Sequence, residues 1–287
     1  MKTAIVTASW DQDFERCKLL CETMDKHVTG FTKHYILVDS KDVALFRQIE
    51  SANRIVIDER DLLPSWIRPF PDPTYLGRRR VWLSFKTKPL RGWHVQQLRR
   101  IALASKVEED GLLYTDSDTA FVKPFDCSTL WQGDKLRLFY RPNALANPEW
   151  PEHPVWAENA GKLLGVKNGK SALNDYIGQL VSWRRDSVVG MCERIEKHTG
   201  QHWVAAIGNV RRFSECFIYG HYVDDVLEGA GHFHDTHDLC RMQWFAPPPS
   251  EEEFRTFIAE MEPHQVAIGM QSFLSLSVND IRRIIGA

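Results

Sequence analysis

The sequence predicts an α/β fold with a mostly parallel central sheet. Short apolar runs alternate with amphipathic helical segments through the first part of the chain, and the connections between them are brief. This order is typical of parallel strands joined by right-handed crossovers. At residues 111–122 an apolar run ends in Asp116-Ser117-Asp118 and a second apolar run follows, which fits a buried strand whose carboxyl end opens onto a crevice.

The first half of the chain supplies the regular part of this pattern. In the first helical segment, Phe14, Cys17, Leu20, Cys21 and Met24 share one face. Predicted strands occupy residues 2–10, 34–38 and 54–57, and predicted helices occupy residues 12–27, 40–52 and 93–107. The absence of a G-x-G-x-x-G sequence and of a P-loop disfavours dinucleotide cofactors and P-loop chemistry.

The second half is less regular. Residues 175–183 mix strand formers with polar groups, and residues 141–154 form a proline-rich loop. A strand is predicted at 135–140, helices at 156–166, 186–199, 250–260 and 278–285, and a strand or loop at 266–273. We expect a single domain over residues 1–287, because the length suits one large α/β unit.

Composition excludes several classes of protein. A formal net charge of -2 argues against nucleic acid as the main partner. No run of about 18 apolar residues is present, and the chain enters a strand at once without the basic and apolar regions of a signal peptide. We therefore expect a cytoplasmic protein whose six cysteines are reduced thiols, since no C-x-x-C spacing suggests a zinc site.

The two aspartates after the strand at 111–114 are the strongest chemical signal. Two ionised carboxylates this close repel each other, so their burial calls for a divalent cation, hydrogen-bond donors or a shared proton. Mg²⁺ and Mn²⁺ favour oxygen ligands and keep open positions for substrate phosphates. Two other interpretations of Asp116 and Asp118 remain open, namely a solvated turn and a phosphatase of the haloacid dehalogenase type.

Two basic features lie upstream of the acidic pair. Residues 69–93 are rich in proline, aromatic and basic residues and show no clean period, so they are either an irregular insertion or a mobile loop that contacts an anionic acceptor, a diphosphate or a membrane. The helix predicted at 93–107 enters the sheet just before the acidic pair, so Gln97 and Arg100 lie either near the phosphates of a bound substrate or on an exposed face of the helix.

Two downstream features are candidates for chemistry. Glu215 is a lone carboxylate in the aromatic segment 213–222, where it is either a functional carboxylate or the partner of Arg211 or Arg212. The cluster at 231–238 contains three histidines, for which metal ligation and ordinary hydrogen bonding are both available.

The order of these motifs resembles the bacterial GT-A glycosyltransferases of an uncharacterised-domain type. The segments that carry the resemblance are Thr7-Ala8-Ser9, Asp39, residues 93–97, Asp116-Ser117-Asp118, residues 176–183, residues 214–220 and Gln271-Ser272. It implies a GT-A (Rossmann-like) fold with a nucleotide-binding half at residues 1–126 and an acceptor-binding half at residues 127–287. It also implies a role in the synthesis of bacterial surface polysaccharides.

The resemblance also implies a site. It places the nucleotide contacts on Thr7, Ser9 and Asp39, with Asp116 also beside the diphosphate. Gln97 and Arg100 join this nucleotide-binding set because their helix enters the sheet directly before the acidic pair. The ligands of the metal, Mn²⁺ or Mg²⁺, would be Asp118 and Asp116. A later histidine would complete the site, with His234 as the first choice and His232 or His237 as the second. Glu215 faces the acceptor and, in an inverting enzyme, acts as the general base.

The predicted function is therefore metal-dependent glycosyl transfer from a nucleotide diphosphate sugar, with a UDP-sugar favoured, to a glycan or glycolipid. The alternative from another class is a sugar- or glycan-binding protein that keeps the fold without turnover. Nucleic acid is not an expected partner. The basic segment 78–91 is expected to allow peripheral contact with the inner face of the membrane.

Overall fold

A computed structural model describes residues 1–77, 79–167, 169, 171, 173–243, 249–270 and 277–286. The strands in these ranges are β1 (Thr3–Ala8), β2 (Val28–Thr29), β3 (His34–Val38), β4 (Arg54–Asp58), β5 (Arg68–Pro71), β6 (Arg80–Leu83), β7 (Leu90–Arg91), β8 (Gly111–Tyr114), β9 (Thr119–Phe121), β10 (Phe125–Asp126), β11 (Trp131–Gln132), β12 (Lys135–Phe139), β13 (Val181–Arg184), β14 (His232–Asp235), β15 (Cys240–Gln243) and β16 (Ala267–Met270).

The helices in the same ranges are α1 (Phe14–His27), α2 (Val43–Phe46), α3 (Glu59–Leu62), α4 (Gly92–Leu103), α5 (His153–Leu164), α6 (Arg185–Thr199), α7 (Trp203–Gly208), α8 (Glu215–His221), α9 (Glu251–Ala259) and α10 (Val278–Ile285). A π-helical turn at Tyr222–Val226 follows α8. Among these helices none has both the length and the apolar character that crossing a bilayer requires.

The central sheet confirms the predicted fold class. Its strand order is β13-β8-β1-β3-β4, and the pairs among β8, β1, β3 and β4 are parallel. The edge strand β13 runs antiparallel to β8. Because parallel strands end at one edge of the sheet, the residues that follow β1, β3, β4 and β8 meet there.

Burial explains why these segments are strands and helices. All six residues of β1 and all four of β8 are buried, as expected for parallel strands covered on both faces. The apolar side of α4 packs into the main core through Val95, Leu98 and Ile101. The packing of α4 against the sheet also buries Arg99 and Arg100, which must therefore find charged partners.

The structure corrects several predicted boundaries. The segment at 69–93 is not irregular, because β5, β6 and β7 form a three-stranded antiparallel sheet; strands of two to four residues are too short to show a period. The helix predicted at 40–52 contains only α2 and one 3₁₀ turn, and the helix predicted at 93–107 ends at Leu103. Gln271 and Ser272, which carry part of the resemblance, and Arg78 of the basic segment lie outside the described residues.

Candidate functional site

A cavity of about 590 Å³ lies at the carboxyl edge of the central sheet. We call it the first cavity. Ser9 after β1, Asp39 after β3, and Asp116 and Asp118 after β8 line it. The remaining wall comes from the small sheet β5–β7 and from the start of α4. The predicted convergence of strand ends on one crevice is therefore found in the structure.

Asp39 lies in a buried network of charges in this cavity. Arg99 donates from Nη2 to both Asp39 Oδ1 and Glu59 Oε2, the latter at 2.6 Å. Trp82 Nε1 also donates to Glu59 Oε2 at 2.9 Å, and Arg80 Nη1 lies 3.7 Å from Asp39 Oδ2. Burial raises the pKa of Glu59, and the Arg99 charge offsets part of that effect. The network fixes the Asp39 carboxylate at the cavity wall.

The lining of the first cavity combines cations with aromatic rings. Arg79 and Arg91 hold their guanidinium groups over the Tyr75 ring, at 4.6 and 5.4 Å from its centroid. Trp10 is 37% exposed, and its Nε1 donates to Asp13 Oδ2 at 2.6 Å, which fixes the ring at the mouth of the cavity. Planar cations suit phosphate groups, and an exposed indole suits a flat ring.

Asp116 and Asp118 lie together with a third carboxylate, that of Asp13. Burial, together with the charges of Asp116 and Asp13, raises the pKa of Asp118 to about 8. Burial also raises the pKa of Asp13, although its hydrogen bond from Trp10 acts in the opposite direction. A cation bound at this point would relieve the mutual repulsion. Oxygen donors of this kind fit Mg²⁺ or Mn²⁺.

The protein ligands present would be an incomplete set for such a cation. No group of three or more His, Cys, Asp or Glu side chains within the described ranges is arranged to hold a metal by itself. Asp118 Oδ1 also accepts a hydrogen bond from Gln179 Nε2 at 3.1 Å. Asp116 and Asp118 would therefore hold a cation only together with ligands from substrate and water.

A second cavity, of about 630 Å³, begins where the first ends. Asp116 and Trp93 line both. The second cavity has an aromatic wall, in which the Trp93 and Trp156 rings lie 5.6 Å apart and the Trp150 ring stacks on His153 at 5.2 Å. Aromatic faces beside polar groups suit the apolar faces of sugar rings.

Glu215 lines the second cavity and pairs with Arg100. Its Oε1 lies 3.0 Å from Arg100 Nη1, which is also 3.5 Å from Asp116 Oδ1. Burial raises the pKa of Glu215, and the charge of Arg100 acts in the opposite direction. Burial disfavours the charge of Arg100, but the negative charges of Glu215 and Asp116 outweigh this effect and raise the pKa of Arg100. The structure thus places the buried guanidinium group of Arg100 between the carboxylates of Glu215 and Asp116. The charged partner of Glu215 is therefore Arg100, and not Arg211 or Arg212.

Backbone geometry holds Glu215 at this place. Ser214 caps α8 by accepting from Cys216 N at 3.3 Å, which puts Glu215 in the first turn. Gln97 Oε1 accepts from Glu215 N at 2.9 Å, and Gln97 Nε2 donates to Trp93 O at 3.2 Å. Gln97 lines neither cavity. It is a link between α4 and α8 instead of the phosphate contact that the sequence suggested.

The other predicted site residues are distributed unevenly. Ser9 lines the first cavity, whereas Thr7 is buried in the sheet with its Oγ1 3.0 Å from His34 Nε2. Arg100 lines the second cavity but not the first, where Arg99 stands in its place. Neighbouring helix residues point about 100° apart, so adjacent arginines can serve different cavities.

The three candidate histidines are all engaged away from the acidic pair. His234 Nε2 donates to Asp224 Oδ1 at 2.7 Å, and His237 Nδ1 donates to Asp235 Oδ1 at 2.6 Å. His232 Nε2 accepts from the Tyr219 hydroxyl at 2.6 Å, and burial lowers the pKa of His232 to about 4. None of them lines either cavity.

Sequence reasoning missed Glu59, Arg99 and Gln179. Gln179 lines the second cavity and donates from Nε2 to Asp118 Oδ1 and to Thr119 Oγ1, so it connects the acidic pair with the second cavity. A signal for the first two existed, because Glu59 follows a buried strand and Arg99 lies in an apolar helix, and buried charges of opposite sign require partners.

Comparison with known families gives the assignment of the chain. A family model described as "Family of unknown function (DUF6492)" matches residues 3–284. The chain belongs to this family. For this DUF6492 protein, no curated protein gives a match.

One solved structure similar to the DUF6492 protein is that of an active-site mutant of LgtC. The two chains are 12% identical, with a TM-score of 0.48. The alignment covers 99% of this chain and 95% of the LgtC chain.

Proposed function

We propose that the protein is a metal-dependent glycosyltransferase. It moves a sugar from a nucleotide diphosphate sugar, with a UDP-sugar favoured, to a glycan or glycolipid acceptor. The observation that carries this proposal is the position of Asp116, which is shared by two cavities of different character. A transferase needs such a junction, because donor and acceptor must meet at one reacting carbon.

The first cavity is the proposed donor site. Its exposed Trp10 ring would stack on the base, and the guanidinium groups of Arg79, Arg80 and Arg91 would contact the diphosphate. The Asp39 carboxylate, held in place by Arg99, would accept hydrogen bonds from N–H or O–H groups of the nucleoside. These interactions orient the donor with its sugar toward Asp116.

Asp116 and Asp118 would hold the cation, Mn²⁺ or Mg²⁺. A divalent cation bound there would stabilise the charge that grows on the leaving diphosphate. Gln179 contributes by fixing the Asp118 carboxylate from the acceptor side.

The second cavity is the proposed acceptor site. Carboxylates outnumber cations in its lining, with Asp116, Glu149, Glu152 and Glu215 facing Arg100 and Arg141. This balance favours a neutral sugar over an anionic one, and the tryptophan wall gives it a surface for stacking. Glu215 would accept the proton of the attacking hydroxyl if the reaction inverts the anomeric centre.

The proposal treats residues 1–287 as one working unit. Residues 1–126 would provide the nucleotide-binding half and residues 127–287 most of the acceptor-binding half. In support, the first cavity is lined from Ala8 through Asp118, whereas Trp93, Arg100 and Asp116 join later residues in lining the second.

Calorimetry of UDP and GDP binding tests the proposal. We expect UDP to bind in the presence of Mn²⁺ or Mg²⁺ and the heat of binding to disappear on adding a chelator. Asp118→Ala should abolish the metal effect, whereas the control Asp134→Ala, at an exposed position, should not. Tight binding unchanged by chelator contradicts the role of the acidic pair. Binding of nucleotide sugar with no transfer to any glycan would instead indicate a non-catalytic carbohydrate-binding protein.

A further inference from the structure

The small sheet β5–β7 and its loops, residues 68–91, carry an unusual set of exposed apolar side chains. We call this segment the β5–β7 lobe. Phe85 is fully exposed, and Leu76, Phe70 and Leu83 are 86, 45 and 41% exposed. Isolated exposed apolar residues are ordinary, but a group of large ones on one small element marks an interaction surface.

The strand register shows that two of these side chains share a face. Phe70 pairs with Val81, and Arg68 pairs with Leu83, so these residues lie on one side of the antiparallel sheet. The intervening pair, Pro69 and Trp82, points the other way, and Trp82 is buried. The Trp82 side of the sheet therefore packs on the protein, whereas the other side exposes Phe70, Leu83 and Arg68 around Val81, which is covered.

The charge of the lobe is opposite to that of the whole chain. Residues 68–91 contain Asp72 as their one carboxylate, and that side chain is buried. Arg68, Arg79, Lys86 and Lys88 are exposed on the same segment, although the whole chain has a formal net charge of -2. Concentrated positive charge beside exposed apolar groups is complementary to an anionic lipid surface.

The tip of the lobe is held in place. Asn209 Nδ2 donates to Lys86 O at 2.9 Å, and Asn209 Oδ1 accepts from Lys88 N at 3.1 Å. Ser84 Oγ accepts from Lys86 N at 2.9 Å. These bonds fix the backbone that follows Phe85, and the Ser84 side chain closes the turn across it, which lowers the cost of ordering the ring for contact.

We propose that the β5–β7 lobe docks the protein on an anionic membrane surface. Phe85, Leu83, Phe70 and Leu76 enter the interfacial region, and Arg68, Lys86 and Lys88, which do not line the first cavity, contact lipid headgroups. This inference is independent of the proposed activity. Docking would also bring the first cavity close to the surface, because Tyr75, Arg79 and Arg91 line that cavity from the same lobe.

Sedimentation of the full-length protein with vesicles tests this proposal. We expect association with phosphatidylcholine vesicles that contain about 30 mol% phosphatidylglycerol, no association with pure phosphatidylcholine, and weakening by added salt. Phe85→Ser should lower the partition coefficient about tenfold, whereas Leu173→Ser, at another exposed leucine, should leave it unchanged. Lys86→Gln combined with Lys88→Gln should lower it about thirtyfold, and Lys135→Gln with Lys197→Gln serves as the charge-matched control.

Three results overturn the proposal. The first is equal sedimentation of the parent with anionic and neutral vesicles. The second is equal binding of the parent and the lobe variants to anionic vesicles. The third is a concentration-dependent dimer, measured by light scattering, that Phe85→Ser dissociates while vesicle association is absent. That result would identify a second copy of the chain as the occupant of this face.

Discussion

Replacing Glu215 with Gln separates a chemical role of this side chain from a structural one. The amide keeps the shape of the side chain and an oxygen that can accept from Arg100 Nη1, now 3.0 Å from Glu215 Oε1. It removes the charge and the basicity. If Glu215 accepts the proton of the acceptor hydroxyl, the turnover number should fall by a factor on the order of 10² to 10⁴.

The structure predicts a small effect of the same change on stability. Burial raises the pKa of Glu215 more than Arg100 lowers it, so removal of the charge relieves a desolvation cost while it removes an attraction. Arg100 also keeps Asp116 as a partner at 3.5 Å. We expect the free energy of unfolding to change by less than about 2 kcal/mol. By contrast, Arg100→Met leaves the buried Glu215 carboxylate uncompensated and should cost about 3 to 5 kcal/mol.

The assay combines three measurements on each purified variant. These are sugar transfer at saturating donor, UDP affinity by calorimetry, and thermal unfolding. Glu149→Gln is the matched control, because Glu149 lines the same cavity but is exposed. Transfer by Glu215→Gln at close to the parental rate, with donor binding intact, would assign Glu215 to the scaffold. A product that retains the anomeric configuration would also remove the need for a base at this position.

Two further predictions concern separate parts of the molecule. Trp10→Ala should weaken UDP binding about tenfold, since stacking on a base contributes about 1 to 3 kcal/mol, and unchanged affinity would place the base elsewhere. Although burial opposes it, hydrogen bonds from Arg137 and His237 lower the pKa of Asp235 to about 2. Asp235→Asn should therefore lower the free energy of unfolding by about 1 kcal/mol at pH 7, after allowance for solvent screening, and this difference should shrink as the pH falls from about 4 toward 2. Denaturant titrations measure this difference in the free energy of unfolding between the parent and Asp235→Asn. An equal difference at pH 7 and pH 3 would show that the Asp235 charge does not stabilise the fold.

The sheet and the acidic pair could be predicted because they depend on local patterns. Buried parallel strands give continuous apolar runs, and β3 was predicted with the boundaries that the structure shows, as was α10. The position of Asp116 and Asp118 at the carboxyl edge follows directly from that pattern.

The assignment of polar residues to each cavity could not be predicted in the same way. The sequence indicates that Gln97, Arg99 and Arg100 lie on one helix, but their directions depend on how α4 is rotated against the sheet. That rotation is set by contacts with distant elements, such as the bond from Glu215 N to Gln97 Oε1. The histidines illustrate the same limit, since the partner of His234 is fixed by the π-helical turn that presents Asp224.

The pairing of β13 with β8 has a consequence for how the protein is made. The strand that leads to Asp116 is flanked by β1 on one side and by β13 on the other. During synthesis β8 leaves the ribosome long before β13, so one edge of an apolar strand stays unpaired until β13 has also left the ribosome. A nascent chain that stalls in this interval exposes an unpaired apolar strand edge, which is a template for aggregation.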